Sequence, residues 1–410
     1  MLRHMTIDTG QVLPTRFRAQ EARGASIGRV LKAVARVKEV DEDLMGLIGR
    51  RLMERDELGA DVARAMGAPG DQRVTMAQIH RAVAEGIDAV PDTPPALRAF
   101  FDHVETVPAW VDMDLVNEGA RIYRRYGRNA ADVLLQLSLI GGYRFGGPTD
   151  LLVATGGLSG DMTMRRLGET QKWGMAISEH DAMRPGHEGF RVTVHVRLMH
   201  ALVNRRFETG DRWDVGRWGL PINQTDQAAT LGLFNGTLLL GVRALGVRVT
   251  RADSRAVMHL WKYVGWLMGV NEDWLFDEER EQHRFSYHVL LAQDGVTEAG
   301  PQLSNAILDA QLQLHHRRFP RIARAYERAR LLSMLRVFLG RQGLRDLGLP
   351  VRLPWATAAL VPLNVVRYHV LGRTSWGEAR LHRRAARARE TLTFRYFGPD
   401  EAEIGRLPTG

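Results

Sequence analysis

The sequence contains no cysteine. This absence excludes disulfides, zinc sites with cysteine ligands, iron–sulfur clusters, a thiolate nucleophile and a thiolate-ligated haem. It also excludes a covalently attached c-type haem, because that attachment uses the two thiols of a C-x-x-C-H motif. Any metal or prosthetic group in this protein must therefore be held by other side chains.

Long uninterrupted apolar runs are also missing. Residues 1–24 contain no apolar signal-peptide core followed by a cleavage site, which predicts a cytoplasmic protein, or a secreted one if the chain is a trimmed mature form. The most membrane-like stretch, residues 353–371, is interrupted by two prolines, Arg367 and His369, so we expect no transmembrane helix. Packing of this stretch against the core is the favoured interpretation, and peripheral contact with a membrane surface is the alternative.

The charge balance is basic, with 56 Lys and Arg against 47 Asp and Glu and a net charge of +9. The densest basic stretch is Arg380 to Arg389. Such a stretch can bind nucleic acid or an anionic membrane, but no stacking aromatic residues or nucleic-acid motif accompany it. We therefore interpret it as a solvated, arginine-rich helix and predict no nucleic-acid partner.

Apolar residues recur at helical spacing along most of the chain, and only Val247 to Thr250 resembles an extended segment. The pattern predicts an all-α fold forming a single large helical domain. Within that domain we expect an N-terminal helical layer over 1–113, a core over 114–291 and a C-terminal helical segment over 292–410. The predicted helical segments are 27–66, 75–90, 94–105, 114–141, 161–180, 190–207, 225–246, 253–269, 271–291, 301–317, 320–341 and 374–390.

Several common catalytic motifs are absent. The sequence has no G-x-x-x-x-G-K-[ST] phosphate loop, no H-E-x-x-H zinc helix and no G-x-S-x-G nucleophile elbow. The segment Gly157-Leu158-Ser159-Gly160 has the wrong spacing for the last of these. Chemistry must therefore be sought among polar residues within apolar helices.

The predicted helix 161–180 carries one such set. Arg166 and Thr170 are four residues apart and lie about 40° apart around a helix, with Glu169 close to the same stripe. A polar pocket wall is one interpretation. The alternative is a half-exposed helix with an ordinary surface pair, either Arg166–Thr170 or Arg165–Glu169.

The predicted helix 190–207 places His200 among apolar residues. A neutral imidazole on a dry helix face is a good axial ligand for haem iron, and Arg197, one turn earlier, is suited to pairing with a haem propionate. His195 is a rival that points about 140° away from His200, so the two cannot ligate one iron. The alternative is a core histidine hydrogen-bonded to a backbone carbonyl.

Three blocks of sequence in this order resemble the latex-clearing rubber oxygenases and the wider family that includes the MpaB-type enzyme. The resemblance covers roughly residues 115–290. The blocks are Arg165-Arg166-Leu167-Gly168-Glu169-Thr170, then Val196-Arg197-Leu198-Met199-His200-Ala201, and then Pro221-Ile222-Asn223-Gln224 with Phe234, Gly246 and Leu260-Trp261-Lys262-Tyr263-Val264-Gly265-Trp266-Leu267-Met268-Gly269-Val270.

This resemblance implies a helical fold, globin-like in character, with a buried pocket for one non-covalent haem b. It implies that His200 is the proximal ligand of the iron and that Arg197 is the basic residue beside it. It further implies that Arg166 and Thr170 form the distal pair that donates hydrogen bonds to O2, and that Asp150 matches an acidic residue that acts as a base.

The chain departs from the family pattern at one position. Some rubber oxygenases have a lysine directly before the threonine, able to occupy the distal iron position, whereas this chain has Glu169 there and its nearest lysine is Lys172. Either Asp150 or Glu169 then supplies the carboxylate that removes an allylic proton. Without an export signal, a smaller isoprenoid or lipid is a better candidate substrate than rubber.

We therefore expect a haem b-dependent, dioxygenase-type oxygenase that uses O2 to cleave or oxidise a C=C bond in a polyisoprenoid or other apolar substrate. Apolar side chains of the 133–145 and 225–270 segments should line its substrate tunnel. Two alternatives remain open: a non-enzymatic haem- or lipid-binding helical protein, and a haem peroxidase or oxidase of the same family.

Overall fold

A computed structural model describes residues 13–156 and 161–399. The Gly157–Gly160 segment therefore lies outside the described residues, as do the outer ends of the 1–113 and 292–410 regions. Within the described ranges the chain is helical and has no β-strand, which confirms the all-α, single-domain prediction. Val247–Thr250 is an irregular connection between helices rather than a strand.

The N-terminal region consists of short helices, several with clear capping signals. Thr75 and Gln78 form a reciprocal capping box, in which each side chain accepts a hydrogen bond from the other residue's backbone N–H. Three 3₁₀ turns, at Arg51–Met53, Gly70–Gln72 and Ile87–Ala89, connect these helices. The α-helices are α1 (Glu21–Ile27), α2 (Arg29–Ala35), α3 (Glu42–Arg50), α4 (Glu57–Ala65), α5 (Met76–Glu85) and α6 (Pro95–Glu105).

The central region contains the longer helices. The predicted segment 114–141 is divided at Gly127, whose φ of 52° lies in the region that glycine tolerates best, and then continues into a π-helix over Leu134–Ile140. A 3₁₀ turn at Glu272–Trp274 precedes the last helix of the region. The α-helices are α7 (Met113–Tyr126), α8 (Arg128–Val133), α9 (Pro148–Ala154), α10 (Asp161–Ala176), α11 (Glu188–Glu208), α12 (Val215–Trp218), α13 (Gln224–Phe234), α14 (Gly236–Ala244), α15 (Arg251–Leu267) and α16 (Glu279–Ala292).

The C-terminal region includes a helix that the sequence patterning did not predict, α20, which continues directly into a π-helix over Val365–Val370. A 3₁₀ turn at Leu371–Arg373 then leads to the last helix, whose first turn is capped by the Thr374 hydroxyl. The α-helices are α17 (Ala299–Ala310), α18 (Pro320–Phe338), α19 (Gly340–Asp346), α20 (Trp355–Asn364) and α21 (Ser375–Phe397).

One hydrophobic core joins all three regions. It runs from Met45 in α3, through Phe100 in α6 and Trp261 in α15, to Met334 in α18 and Leu381 in α21, and each of these side chains is buried. Because no region has this core to itself, the helices form one packed unit.

A close helix crossing brings α7 against α15. A Cβ atom built on Gly119 would lie 2.2 Å from the carbonyl oxygen of Ala256, so only glycine permits this approach. The crossing positions the middle of α15, including Trp261, beside the large internal cavity. None of the helices formed by the described residues is long and apolar enough to cross a membrane.

Candidate functional site

A cavity of about 1160 Å³ lies inside the helical domain. It exceeds the roughly 300–1,000 Å³ usual for pockets that hold drug-sized ligands. Apolar residues of the 133–145 and 225–270 segments line it, as the sequence indicated. These are Leu134, Leu135, Leu139, Leu231, Leu233, Phe234, Trp261, Val264, Met268 and Val270.

Four aromatic rings form one wall of the cavity. Phe234 stacks on Trp261 with ring centroids 4.9 Å apart, and Trp173 meets both rings edge-on. Tyr123 meets Trp261 edge-on at 5.8 Å. The Trp173 indole also donates a 3.1 Å hydrogen bond to the Thr193 hydroxyl, which ties α10 to α11. The wall is consequently rigid and apolar, and it is suited to contact with a large flat ligand.

His200, on α11, lines the same cavity and is half-buried. Its Nδ1 atom is buried and has no hydrogen-bond partner among residues 13–156 and 161–399. Burial lowers the pKa of the imidazole to about 4, which the Asp56 carboxylate opposes only in part. His200 is therefore neutral at physiological pH and offers a lone pair, as a metal ligand must.

His195 also lines the cavity, although it is five residues from His200 on the same helix. The cavity wraps around enough of α11 to reach both side chains. Their angular separation still leaves them on different sides of the helix axis.

The three candidate residues of α10 line the cavity together. The Thr170 hydroxyl donates a 3.0 Å hydrogen bond to the Arg166 backbone carbonyl, and Arg165 pairs with Glu169 at 2.9 Å. These are the two surface pairings that the alternative interpretation named. They do not exclude a site, because Arg166, Glu169 and Thr170 reach the cavity as well.

The guanidinium of Arg166 is half-buried and differs from most other charged groups of the lining, although the exposed Glu390 likewise forms no ion pair among the described residues. Glu169, Asp226 and Arg389 pair with Arg165, Arg16 and Glu179 respectively. Within residues 13–156 and 161–399, no carboxylate forms an ion pair with Arg166. Its charge acts on the nearby Tyr143, opposing the burial that raises the pKa of that phenol. A half-buried, unpaired cation facing an apolar cavity is available to an anionic or strongly polar ligand.

Asp150 is not part of the cavity lining. One carboxylate oxygen accepts hydrogen bonds of 3.0 Å from the Gly147 backbone N–H and the Thr297 hydroxyl. It thereby stabilises the first turn of α9, while its neighbours Thr149 and Leu151 face the cavity. The role of Asp150 as a base stays a prediction.

Arg197 is also absent from the lining. Its Nε and one terminal nitrogen each donate a 2.7 Å hydrogen bond to Asp56, and its guanidinium lies 5.0 Å from the Phe100 ring centroid. Its other terminal nitrogen donates a 3.3 Å hydrogen bond to the Leu267 carbonyl of α15, so the side chain is fully engaged within the protein. Its predicted contact with a haem propionate stays a prediction.

Sequence reasoning missed the last wall of the cavity, which α21 supplies. His382, Ala385, Ala386, Arg389 and Leu392 of this helix line the cavity. The arginine-rich stretch is therefore solvated only in part. A signal was present: Leu381, Ala385, Ala388 and Leu392 recur at helical spacing between the arginines, and the first two are buried.

The described residues contain no group of three or more His, Cys, Asp or Glu side chains placed to bind a bare metal ion. The iron of a haem, in contrast, needs only one protein ligand, because the porphyrin supplies the rest. His200, with its unpartnered nitrogen, is suited to ligate the iron. The aromatic wall is suited to contact the flat face of the porphyrin. The unpaired Arg166 is suited to bind an acidic substituent of the ring. The residues present are thus compatible with a haem.

Comparison with known proteins assigns the family. The catalytic domain described as "ER-bound oxygenase mpaB/B'/Rubber oxygenase" matches residues 124–376, more than half of the chain. The chain belongs to this family. The matched region includes α10, α11, α13 and α15, which carry His200, Arg166 and most of the cavity lining. It ends two residues into α21.

Individual members of the MpaB and rubber oxygenase family agree with this assignment. The chain is 23% identical over 232 residues to the rubber oxygenase of Streptomyces sp. (strain K30), and the aligned part is 54% of each protein. It thus spans about half the length of that relative. A solved structure titled "Structure of Latex Clearing Protein LCP in the closed state" superimposes with a TM-score of 0.62, covering 83% of this chain and 91% of that one at 20% identity. This likeness confirms the fold.

Proposed function

We propose that this member of the family is a haem b-dependent oxygenase that uses O2 to cleave or oxidise a C=C bond in an isoprenoid or other apolar substrate. The observation that carries the proposal is His200. It is a neutral imidazole with a buried, unpartnered nitrogen, and it lines the cavity together with the unpaired Arg166. The family match supports oxygenase chemistry, and the similarity to a rubber oxygenase supports the class of substrate.

A bound haem would supply the activation of O2, which amino-acid side chains alone do not perform. His200 would hold the group and fix its position, since its lone pair is free at neutral pH. Arg166 would donate N–H hydrogen bonds to oxygen atoms that gain negative charge during the reaction. Thr170 keeps its hydroxyl oxygen as an acceptor while its proton binds the Arg166 carbonyl.

Glu169 is the carboxylate better placed to hold a proton from the substrate. It lines the cavity, whereas Asp150 does not. Its ion pair with Arg165 orients one oxygen and leaves the other for the cavity. We therefore assign the base role to Glu169 in preference to Asp150.

The lining selects for an apolar substrate. Leucine, valine and aromatic side chains cover most of it, and its charged groups other than Arg166 are largely neutralised by ion pairs. A chain-like hydrocarbon binds favourably in such a cavity because its apolar surface is removed from water, and it makes contacts along its length. The volume is large enough for a ring-shaped cofactor and a substrate segment together.

An absorption spectrum of the full chain, expressed with sufficient haem, tests the cofactor. We expect a Soret band that is lost in His200→Gly and restored when imidazole is added, because free imidazole can replace the missing ligand. His195→Gly is the matched control, since it removes a second cavity histidine from the same helix, and it should keep the band. A His200→Gly protein with an unchanged band would disprove ligation by His200.

Turnover separates the proposal from its alternatives. We expect oxygen uptake with unsaturated isoprenoids, carbonyl products that contain oxygen from O2, and a large loss of rate in Arg166→Gln and Glu169→Gln with the Soret band retained. A red protein without oxygen uptake would instead be a haem or lipid carrier. Turnover driven by peroxide, without incorporation of O2, would identify a peroxidase or oxidase.

A further inference from the structure

α20 and its π-helical continuation turn buried polar side chains inward and large apolar side chains outward, the reverse of the usual arrangement. Their inward side carries polar groups that are buried and hydrogen-bonded. Asn364 donates 2.8 Å hydrogen bonds to the Leu245 carbonyl and the Asn129 side chain, and Tyr368 donates one of 3.0 Å to the Arg125 carbonyl. Surface helices of soluble proteins normally turn their apolar side inward.

The outward side of the same helix is apolar. Leu363, Val366 and Val370 follow one another at steps of three and four residues, which places them on one face. Their exposed fractions are 44%, 50% and 60%. In the segments on either side, Leu353 is 80% exposed and Trp376 is 57% exposed. We call the set Leu353, Trp355, Leu363, Val366, Val370 and Trp376 the outer face.

This arrangement answers the question that the sequence left open about residues 353–371. The stretch packs against the core through Asn364 and Tyr368, together with Ala356 and the half-buried Leu360, while most of its large apolar side chains remain exposed. The favoured interpretation, packing of an apolar segment, is therefore wrong for most of its apolar residues. Large apolar side chains that are exposed over several helical turns indicate a contact surface.

Charge indicates what covers the outer face. Residues 347–377 contain no Asp or Glu, but they contain Arg352, Arg367 and Arg373. Across the described parts of the chain, none of these three arginines forms an ion pair. Arg367 is close enough to Arg380 and Arg384 of α21 for their charges, after the effect of its burial, to lower its pKa.

Arginines around an apolar surface, with no acidic residue among them, are the pattern of proteins that lie on anionic lipid. Apolar side chains enter the boundary between headgroups and acyl chains, and the cations bind phosphate groups. Trp376, with the Arg380 guanidinium 5.3 Å from its ring centroid, combines the two functions at one position. A second copy of this chain would instead bring two sets of unpaired arginines together, which is unfavourable.

We propose that the outer face docks the protein on an anionic lipid surface. The helix lies parallel to that surface and its large apolar side chains enter the interfacial layer. α21 begins at this face and continues to the cavity wall. Docking would therefore place the cavity close to the lipid, in which an apolar substrate dissolves. The binding itself does not depend on the haem or on the oxygenase reaction.

Flotation of the full chain with vesicles of phosphatidylcholine, with and without 30% phosphatidylglycerol, tests the proposal. We expect binding to the anionic vesicles and much weaker binding to the neutral ones. The triple variant Leu363→Ser/Val366→Ser/Val370→Ser should bind at least about tenfold more weakly. Val30→Ser/Val34→Ser is the matched control, because these valines are 58% and 41% exposed on α2, and it should bind like the unmodified chain.

The electrostatic part has its own pair of variants. Arg352→Gln/Arg373→Gln should weaken binding about 25-fold at low salt, since each arginine near an anionic surface contributes about fivefold. Arg29→Gln/Lys38→Gln removes the same charge from exposed positions elsewhere and should change binding little. Salt should reduce the difference between the two variants.

Three results would overturn the proposal. The first is the absence of vesicle binding, and the second is equal weakening by the face variants and their controls. The third is self-association of the unmodified chain, seen by light scattering, that the triple serine variant abolishes without any effect on vesicles. The last result would identify a second copy as the occupant. Circular dichroism of each variant shows that the fold is intact.

Discussion

The ion pair between Arg197 and Asp56 gives the sharpest quantitative prediction. Its two 2.7 Å hydrogen bonds join α11, which carries His200, to the residue that precedes α4. The side chains are only 3% and 12% exposed. The Asp56 carboxylate accepts no capping hydrogen bond from the backbone of α4, so truncating it removes the pair without removing a side-chain cap.

Replacing Asp56 by alanine leaves the Arg197 charge buried without a partner. Breaking a buried pair in this way costs about 3–5 kcal/mol, because the remaining charge keeps its desolvation penalty and loses its compensation. The double variant Asp56→Leu/Arg197→Met removes both charges and fills similar volume. We expect it to recover most of the loss.

Urea unfolding of the full chain, followed by circular dichroism and by tryptophan fluorescence, measures the free energies. The two probes must agree before the transition is treated as two-state. Asp61→Ala is the matched control, because Asp61 pairs with Arg64 at 2.7 Å while both side chains are about half exposed. Exposed pairs of this kind contribute roughly 0–1 kcal/mol.

The reasoning fails if Asp56→Ala costs no more than Asp61→Ala, or if the double variant is as unstable as the sum of the two single ones. The same double variant also tests the cofactor role of Arg197. Since the guanidinium is committed to Asp56, we expect the variant to retain haem. Loss of haem from a stably folded double variant would show that Arg197 contacts the cofactor after all.

Three further predictions concern packing and pH. Gly119→Ala should lower the free energy of unfolding by about 1–3 kcal/mol or more, because the new Cβ would lie 2.2 Å from the Ala256 carbonyl oxygen. Burial alone would raise the pKa of Glu279, but hydrogen bonds from Arg243 and its other neighbours outweigh burial and lower the pKa to about 2. Stability from this group is therefore complete above about pH 4.5 and should fall by roughly 3 kcal/mol as the pH drops to 2. Finally, the pKa of His200, near 4, predicts haem affinity that is flat between pH 5.5 and 8 in a haem-transfer assay.

Each of these three has a control. Gly46→Ala should be neutral or slightly stabilising, since its new Cβ meets only the mobile end of Arg50, at 3.3 Å. Glu279→Gln should flatten the acid dependence of stability, whereas the exposed Glu281→Gln should not. A haem affinity that decreases below pH 6.5 would show that His200 titrates like an ordinary histidine and is not desolvated as the structure indicates.

Helical spacing in the sequence predicted the long helices well, because each buries one apolar stripe. Their interruptions were harder to predict. Gly127 and Asn235 break two predicted helices, and both breaks depend on backbone angles that the apolar pattern does not encode. α20 was not predicted because its large apolar side chains face outward. It therefore lacks the inward apolar stripe by which amphipathic helices are recognised.

The resemblance to the family located His200, Arg166, Glu169 and Thr170 at one cavity. The resemblance could not identify the residues that pair with Arg197. Asp56 lies 141 residues away along the chain and outside the resembling region, so nothing local indicates that the two side chains would pair. Asp150 and its distant partner Thr297 are a second example of the same difficulty.

The position of α21 also has a consequence for how the shape of the cavity can vary. The helices that carry His200 and Arg166 lie in the domain common to the family, while nearly all of α21 lies beyond its end at residue 376. Ala385 and Ala386 on that helix can gain or lose bulk and so reshape the chamber without disturbing the groups that perform the chemistry. Under the proposed function, substitutions on this helix would change which substrates the cavity accepts while His200 and Arg166 stay in place.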